Sequence, residues 1–498
     1  HKKDFRSQGY RILLGDYNCD DENFISSTSN SNLGISNQQD IEVPLGDDYI
    51  GIRRALWSYT ETAFKNCVKD YLDKKAYFKD NPDKKPSIPD FTKQDSVKYL
   101  KNSIIEFLEQ SQVENLVKKV SIAFQNYDEI SMSRVYFNQI RVYVYLLSTE
   151  GTMCKIPLDY SSIAVTAGIN NDSTTKEPIN ESVEFYEKNP KNFLAKSDNL
   201  INSCKKLAEY IIKLNKLENE KNSYYGPVIL SDLASSKFFS MALLGKENNL
   251  FAERLPIAES PEHYSFLLKK ESLEERIGTK IIPSDFSVVD KPKLENFKNK
   301  TLLGTSYIDN EGTVTTEELT LIQNGELKTL LSSRVPTRNI SYSNGHKRIG
   351  ITASGTFSAM APSNLFVSYK NGTDEGSLKS KLIELCKEKN IDYGIEITSL
   401  DSSADRSPLI FCRIDKDGTE QLIKPMSMPA FDFTTFDKIE KCTSKDYISN
   451  VSYRENAYNL MNLEGFSING CFMSLIVPSS ILLRDINLKI NTSRFPTF

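Results

Sequence analysis

"GPVILSDLASSKFFSMALLGK", residues 226–246, decides how the chain folds. Val228 to Leu230 follow a Gly-Pro pair and predict a short buried strand. Asp232 or Ser235 stands where an oxygen can cap the first free N–H groups of a helix. From Lys237 the residues are apolar at most positions until Gly245, so this helix is expected to be buried and to run out into the loop "KENNLFAERLP".

Outward from this unit, the first half alternates helices and strands. An amphipathic helix is predicted to start near Asp47-Asp48, with Ile52, Leu56, Tyr59, Ala63, Cys67 and Tyr71 at helical spacing. It stops at "KDNPDKKPSIPDF", where three prolines predict a flexible connector. A second amphipathic helix is read over about 95–112, then two strands, "RVYFNQIRVYVYLLSTEG" and "CKIPLDYSSIAVTAGI", and a helix over 195–217. The polar stretch "ENEKNSYYG" marks a boundary near 218–226. Beyond it the chain is β-dominated. "LTLIQNGELKTLL" and "RIDKDGTEQLIK" are hairpins turned by Gly, "SLKSKLIELCKEKN" is a helix with Leu378, Leu382, Leu385 and Cys386 on one side, and "SLIVPSSILL" supplies the last strands. The expected class is α+β: a mixed α/β N-terminal domain over 1–220 and a mainly antiparallel, β-rich C-terminal domain over 221–498.

Composition narrows the function. Sixty-two basic against 66 acidic residues, net −4, with no run of five Lys or Arg, argues against a nucleic-acid partner. No stretch of 18 apolar residues predicts a membrane span. The chain has three histidines, His1, His263 and His346, so no two can meet on one helix to share a metal. Its eight cysteines are all more than twenty residues apart and contain no C-x-x-C, which leaves buried free thiols such as Cys67 and Cys386 as the expectation. The chain opens at His1 and passes at once into "YRILLGDY", read as a strand whose partners lie upstream. The compartment is therefore not set by this end; the cytoplasm is favoured and export stays open.

The polar loop "SNGHKR", 343–348, carries Asn344, His346, Lys347 and Arg348, read first as a solvated loop and second as a hold for a peptide carbonyl or carboxylate. Glu253, Glu262 and His263 are too irregularly spaced to make more than a weak metal site. "DNEG", 309–312, and "IQNGELK", 322–328, read as tight turns of hairpins, with little reason to invoke catalysis.

Taken in order, "GPVIL", the following helix, "EERIGTKIIPSDFSVVDKP", "GTSYIDNEGT", "LIQNGELKTLL", "SNGHKR" and "IFCRIDKDGTEQLI" resemble the TldD/PmbA family, the metallopeptidase-related modulators of DNA gyrase. Upstream, "GDYNCDDENF" and "VPLGDDYIGIRRALWSYTETAFKN" are similar to its Bacteroidota-type branch, and the resemblance runs from about residue 10 to 485. It implies two subunit types. The TldD type carries His-Glu-x-x-x-His on the helix quoted first, completes a zinc site with a Cys near the C-terminus, and hydrolyses unstructured peptides in an enclosed chamber. The PmbA or TldE type lacks these groups. Alignment on the "GK" ending puts Met241 at the first histidine, Ala242 at the glutamate and Lys246 at the second histidine. Cys471 lies too close to Pro478 to match the family's cysteine. The resemblance thus implies a non-catalytic subunit with no cofactor, a homodimer or a heterodimer with a TldD-like chain, and peptide contacts at Lys246, Asn344, His346 and Arg348. Two alternatives stand beside it: an active metallopeptidase using Glu253, Glu262, His263 or His346, and a structural component of a larger assembly.

Overall fold

The computed structural model describes residues 4–26, 41–170, 178–245, 249–259, 272–352, 355–453 and 468–490. His1, Lys246, Glu262, His263 and most of the Ser/Asn-rich loop, 27–40, lie outside them.

Helix α1, Tyr49–Asp80, begins where Asp48 accepts from Gly51 N at 2.9 Å and ends at Asn81, before Pro82. Only Ala63, Cys67, Lys74 and Phe78 are buried along its 32 residues. The connector after it is anchored rather than flexible. Asp90 N and Phe91 N both donate to Tyr17 O, and Arg254 donates to Pro89 O at 2.7 Å. Asp90 and Phe91 are buried. "YRILLGDY" is not a strand either: apart from an isolated Asp16–Cys19 bridge it is irregular.

The first sheet contains β1 (Lys98–Leu100), β2 (Met132–Leu147), β3 (Met153–Ile169) and β4 (Ile179–Glu187). Long β3 pairs with β2 along its whole length, while its other edge is shared between parallel β1 and antiparallel β4. Residues 95–112 therefore do not form the helix that their apolar spacing predicts. Strand pairing outcompetes local periodicity at Lys98–Leu100, and 101–109 stay extended over the sheet. Leu108 N donates to Gln139 Oε1, and Ser103 N to the Tyr143 hydroxyl. Helix α2, Gln110–Ser121, starts only after a capping box at Glu109 and Gln112. With short α3 (Lys191–Ala195) and α4 (Ser197–Lys216) it covers one end of the sheet, where Val120, Ile163, Val165, Val183, Leu207 and Ile211 pack.

From residue 224 the chain builds two six-stranded sheets. One contains β5 (Tyr224–Ser231), β11 (Tyr393–Ser399), β12 (Leu409–Asp415), β13 (Glu420–Ile423), β14 (Ile439–Cys442) and β17 (Ser480–Leu488), in the order β13–β12–β11–β5–β17–β14. The other contains β6 (Phe286–Asp290), β7 (Leu319–Gln323), β10 (Asn364–Tyr369), β15 (Asp446–Tyr453) and β16 (Cys471–Pro478), with the two-residue strand Glu326–Leu327 at one edge and β15 at the other. Strands β8 (Lys347–Ile351) and β9 (Thr356–Met360) form a separate hairpin. Only β5–β11 and β10–β16 are parallel within these sheets. Helix α5, Leu233–Leu244, joins both sheets in one core with Val228, Phe286, Val288, Ile397, Phe436 and Leu475. Helix α6, Glu375–Glu388, covers the outer face of the β5 sheet through Leu378, Leu382 and Leu385. The class is α+β.

Candidate functional site

Helix α5 is apolar nearly all round because it is surrounded. Phe238 and Phe239 lie in an aromatic group with Phe286, Phe431 and Phe436, and Ser236 Oγ meets Ser449 Oγ of β15 at 2.5 Å. Neither predicted cap is used. Asp232 has a φ of 52° and no side-chain bond to the helix, and Ser235 Oγ donates instead to Pro478 O at 2.7 Å. The helix starts from main chain alone, with Ser236 N donating to Asp232 O.

One side of α5 stays open. Met241 is 40% exposed, whereas its neighbour Ala242 is enclosed in the core. One turn earlier, Lys237 faces Glu181 of β4 and Arg406. Burial and Arg406 lower its ammonium to about 8, against the pull of Glu181. Burial raises Glu181 to about 7, opposed by Lys237. This amine–carboxylate pair, between the first sheet and α5, was not singled out from sequence, because its members are 56 positions apart and neither belongs to a motif.

At the far end of α5, Tyr453 OH donates to Leu244 O and its ring lies 5.8 Å from that of Phe251. Cys471, the first residue of β16, is buried against Ala359, Ala361, Phe357 and Tyr453. Tyr453 thus links the cysteine to the helix end, and the side chains that the helix and this strand offer are the Met241 thioether, the Ala242 methyl and the enclosed Cys471 thiol. Zinc takes thiolate, imidazole and carboxylate in tetrahedral sets, and the described part of this site does not fit it. Among the described residues no group of three or more His, Cys, Asp or Glu converges as a metal site.

The "SNGHKR" loop is enclosed rather than solvated. His346 is fully buried, with Nε2 at 2.8 Å from Asp290 Oδ2 and Nδ1 at 2.7 Å from Asn344 Oδ1. Asn344 is oriented by accepting from Ser332 N and donating to Leu330 O. Both ring nitrogens therefore face oxygen, and neither is open to a metal. Arg348 is also buried, its guanidinium donating to Pro362 O, Ser363 Oγ and Phe472 O. Lys347 N donates to Asp309 Oδ2. Burial, reinforced by Glu311, raises the Asp309 carboxyl to about 7. Sequence placed these residues together correctly, but a polar hexapeptide does not reveal that its side chains point inward. Glu253 lies in the extended segment after α5.

Residues 224–411 match the PmbA/TldA metallopeptidase C-terminal domain, a segment that contains β5, α5, the buried loop and β11. The fold is similar to that of a candidate DNA gyrase modulator from Thermotoga maritima, at 15% identity and TM-score 0.54, covering 92% of this chain and 87% of that one. A second candidate gyrase modulator, from Bacteroides thetaiotaomicron, aligns at 12% identity and TM-score 0.48 over 77% of this chain and 72% of that one. TldE from Thermococcus kodakarensis aligns at 12% identity and TM-score 0.44 over 80% of this chain and 79% of that one. A search of the curated proteins finds no match. The matched domain is metallopeptidase-related, and the fold is α+β. Residues 224–411 thus carry a domain of the TldD/PmbA family, and the whole chain shares the fold of the Thermotoga maritima protein.

Proposed function

We propose that the chain is a peptide-handling member of this family without a catalytic metal of its own, the PmbA/TldE kind of subunit, forming one wall of a chamber for unstructured peptide with a second copy or a TldD-like chain. What supports this reading is the sequence of α5 and the residues after it, where the resemblance aligns the family's metal ligands and base with Met241, Ala242 and Lys246. Met241 is on the open side and Ala242 is in the core, so neither offers a zinc donor or a carboxylate to activate water. Peptide contact then falls to Lys237 and Met241, with Lys246 next along the sequence. The Asn344–Arg348 loop supports that wall from behind.

The test pairs metal content with peptide binding. The purified chain, dialysed against zinc, is expected to retain less than one equivalent. It is expected to bind a fluorescein-labelled unstructured peptide, read by anisotropy, and to leave that peptide uncleaved. Stoichiometric zinc together with cleavage that a chelator abolishes would overturn the proposal.

A further inference from the structure

Helix α1 is packed along one side. Cys67 Sγ donates to Ile12 O at 3.8 Å, Lys74 Nζ donates to Asp20 O and Asp90 Oδ2, and Phe24 lies against the rings of Tyr77 and Phe78. No residue of the helix before Ala63 is buried. Turned away from these contacts, Ile50 is 58%, Trp57 75%, Phe64 49% and Leu72 58% exposed. At about 100° per residue, these four and the partly buried Val68 fall within about 80° of one another, in one stripe. From Ile50 to Leu72 the stripe runs about 33 Å. Single apolar residues on a surface need no explanation, but an aligned row of large ones marks an interaction site.

Charge is sorted around the stripe. Arg53, Arg54, Lys75 and Lys79 are exposed along it, and Lys65 at its margin pairs with Glu61, the one acid on that face. The other acids of the helix, Asp70, Asp73 and Asp80, lie more than about 120° from the centre of the stripe. Neither Arg53 nor Arg54 has an ion-pair partner among the described residues. This cationic face is a local feature of a chain whose net charge is −4.

The pattern does not suit a second helix. A coiled-coil seam needs two apolar residues in every seven, and the positions three and four after Ile50 and Trp57 are Arg53, Arg54, Thr60 and Glu61. A second copy of α1 would also set these cations against their own kind. A lipid surface suits both features. Apolar side chains enter the boundary between headgroups and acyl chains, while arginine and lysine meet anionic headgroups. Tryptophan is favoured at that depth, and the chain's one tryptophan is the most exposed residue of the stripe.

We infer that α1 lies along a membrane surface rich in anionic phospholipid, with Ile50, Trp57, Phe64 and Leu72 inserted and its arginines and lysines on headgroup phosphates. No helix among the described residues is long and apolar enough to cross a bilayer, so the attachment is peripheral. The inference goes beyond the peptide-chamber reading and does not use α5, so either can fail alone.

Because Trp57 is the only tryptophan, its fluorescence reads this surface directly. In buffer the emission is expected to be that of a hydrated indole, open to quenching by acrylamide. Vesicles of phosphatidylcholine with an equal part of phosphatidylglycerol are expected to shift it to shorter wavelength, suppress the quenching and carry the protein upward in flotation. Vesicles of phosphatidylcholine alone are expected to do none of these. Phe64→Glu is expected to abolish the shift, whereas Thr62→Glu, which places the same charge on the flank away from the stripe, is expected to keep it. Arg53→Gln together with Arg54→Gln is expected to bind about 30-fold more weakly, at about fivefold for each basic residue beside an anionic surface. Native far-UV circular dichroism verifies that each variant folds. Emission of a buried indole without vesicles would mean that another part of the chain or a second copy covers the stripe, and would overturn the inference. So would failure to bind the anionic vesicles, binding that survives Phe64→Glu, or a loss in Thr62→Glu as large as in Phe64→Glu.

Discussion

Lys74 places an ammonium inside the protein, on the inward side of α1, and three segments close around it. It donates to Asp20 O at 2.9 Å and to Asp90 Oδ2 at 2.5 Å, while Arg254 takes the other Asp90 oxygen at 2.9 Å. Asp90 therefore engages both cations. Asp20 is left 3.8 Å from Lys74 with its Oδ2 buried and without a hydrogen bond. Burial, with Asp90 beside it, raises the Asp20 carboxyl to about 7 despite Lys74. The folded protein thus binds this proton more tightly than the unfolded chain does. The associated stability is complete below the ordinary carboxylate range and is lost as pH rises through about 7. Over that window Asp20 contributes a slope of up to about 1.4 kcal/mol per pH unit. Asp20→Asn keeps the acceptor for Glu22 N and removes the titration. Urea midpoints at pH 5 and pH 8 are expected to differ less in Asp20→Asn than in the native protein; equal differences would show that Asp20 does not titrate in this window.

At the scale of single elements, local chemistry was legible where neighbours in sequence are also neighbours in space. The hairpin at Asn324-Gly325 has φ of 50° and 81° at its two turn residues, the left-handed pair that a tight hairpin requires. A Cβ on Gly325 would also lie 2.3 Å from Ile282 O. Gly325→Ala is accordingly expected to cost about 2 kcal/mol or more, since backbone strain at such a position costs about 1–3 kcal/mol before the clash is counted. Chemical denaturation measures this, and a loss under half a kilocalorie would show that the turn relaxes freely. The same local logic gave α1 its start at Asp48 and α6 its inward face. It failed over 95–112, where the 3–4 spacing of Val97, Leu100, Ile104 and Leu108 is that of a helix while the partners of the strand begin at Met153. It failed again in the hexapeptide around His346, because Asp290, Ser332 and Leu330, which make that loop an interior feature, lie 14 to 56 positions away.

At the scale of the whole molecule, the tie between the two halves joins segments that nothing in the sequence connects. The Phe91 ring lies between two guanidinium groups, Arg11 at 5.0 Å and Arg334 at 4.2 Å. Arg334 grips Glu150, in the turn between β2 and β3, with two bonds of 2.6 and 2.7 Å, and donates to Thr92 O. Its own N–H donates to Glu311, which also pairs with Arg11. One arginine thus fastens the proline-rich connector, the first sheet and the C-terminal part together, with its side chain 4% exposed. Three prolines advertised a flexible connector. These contacts, between residues up to 300 positions apart, hold it in place. Arg334→Ala leaves Glu150 with the Tyr17 hydroxyl as its donor and Thr92 O without the guanidinium, and losing one partner of a buried pair costs about 3–5 kcal/mol. Arg334→Lys keeps the charge but not the forked geometry, so its loss is expected to fall between native and alanine. Hydrogen exchange separates a local tie from a general loss of stability. Amides of residues 89–94 and 147–152 are expected to exchange faster in Arg334→Ala under conditions where those of β5 and β17 do not. Uniform acceleration across both halves would mean that they unfold as one unit, and that Arg334 contributes to overall stability without serving as their fastening.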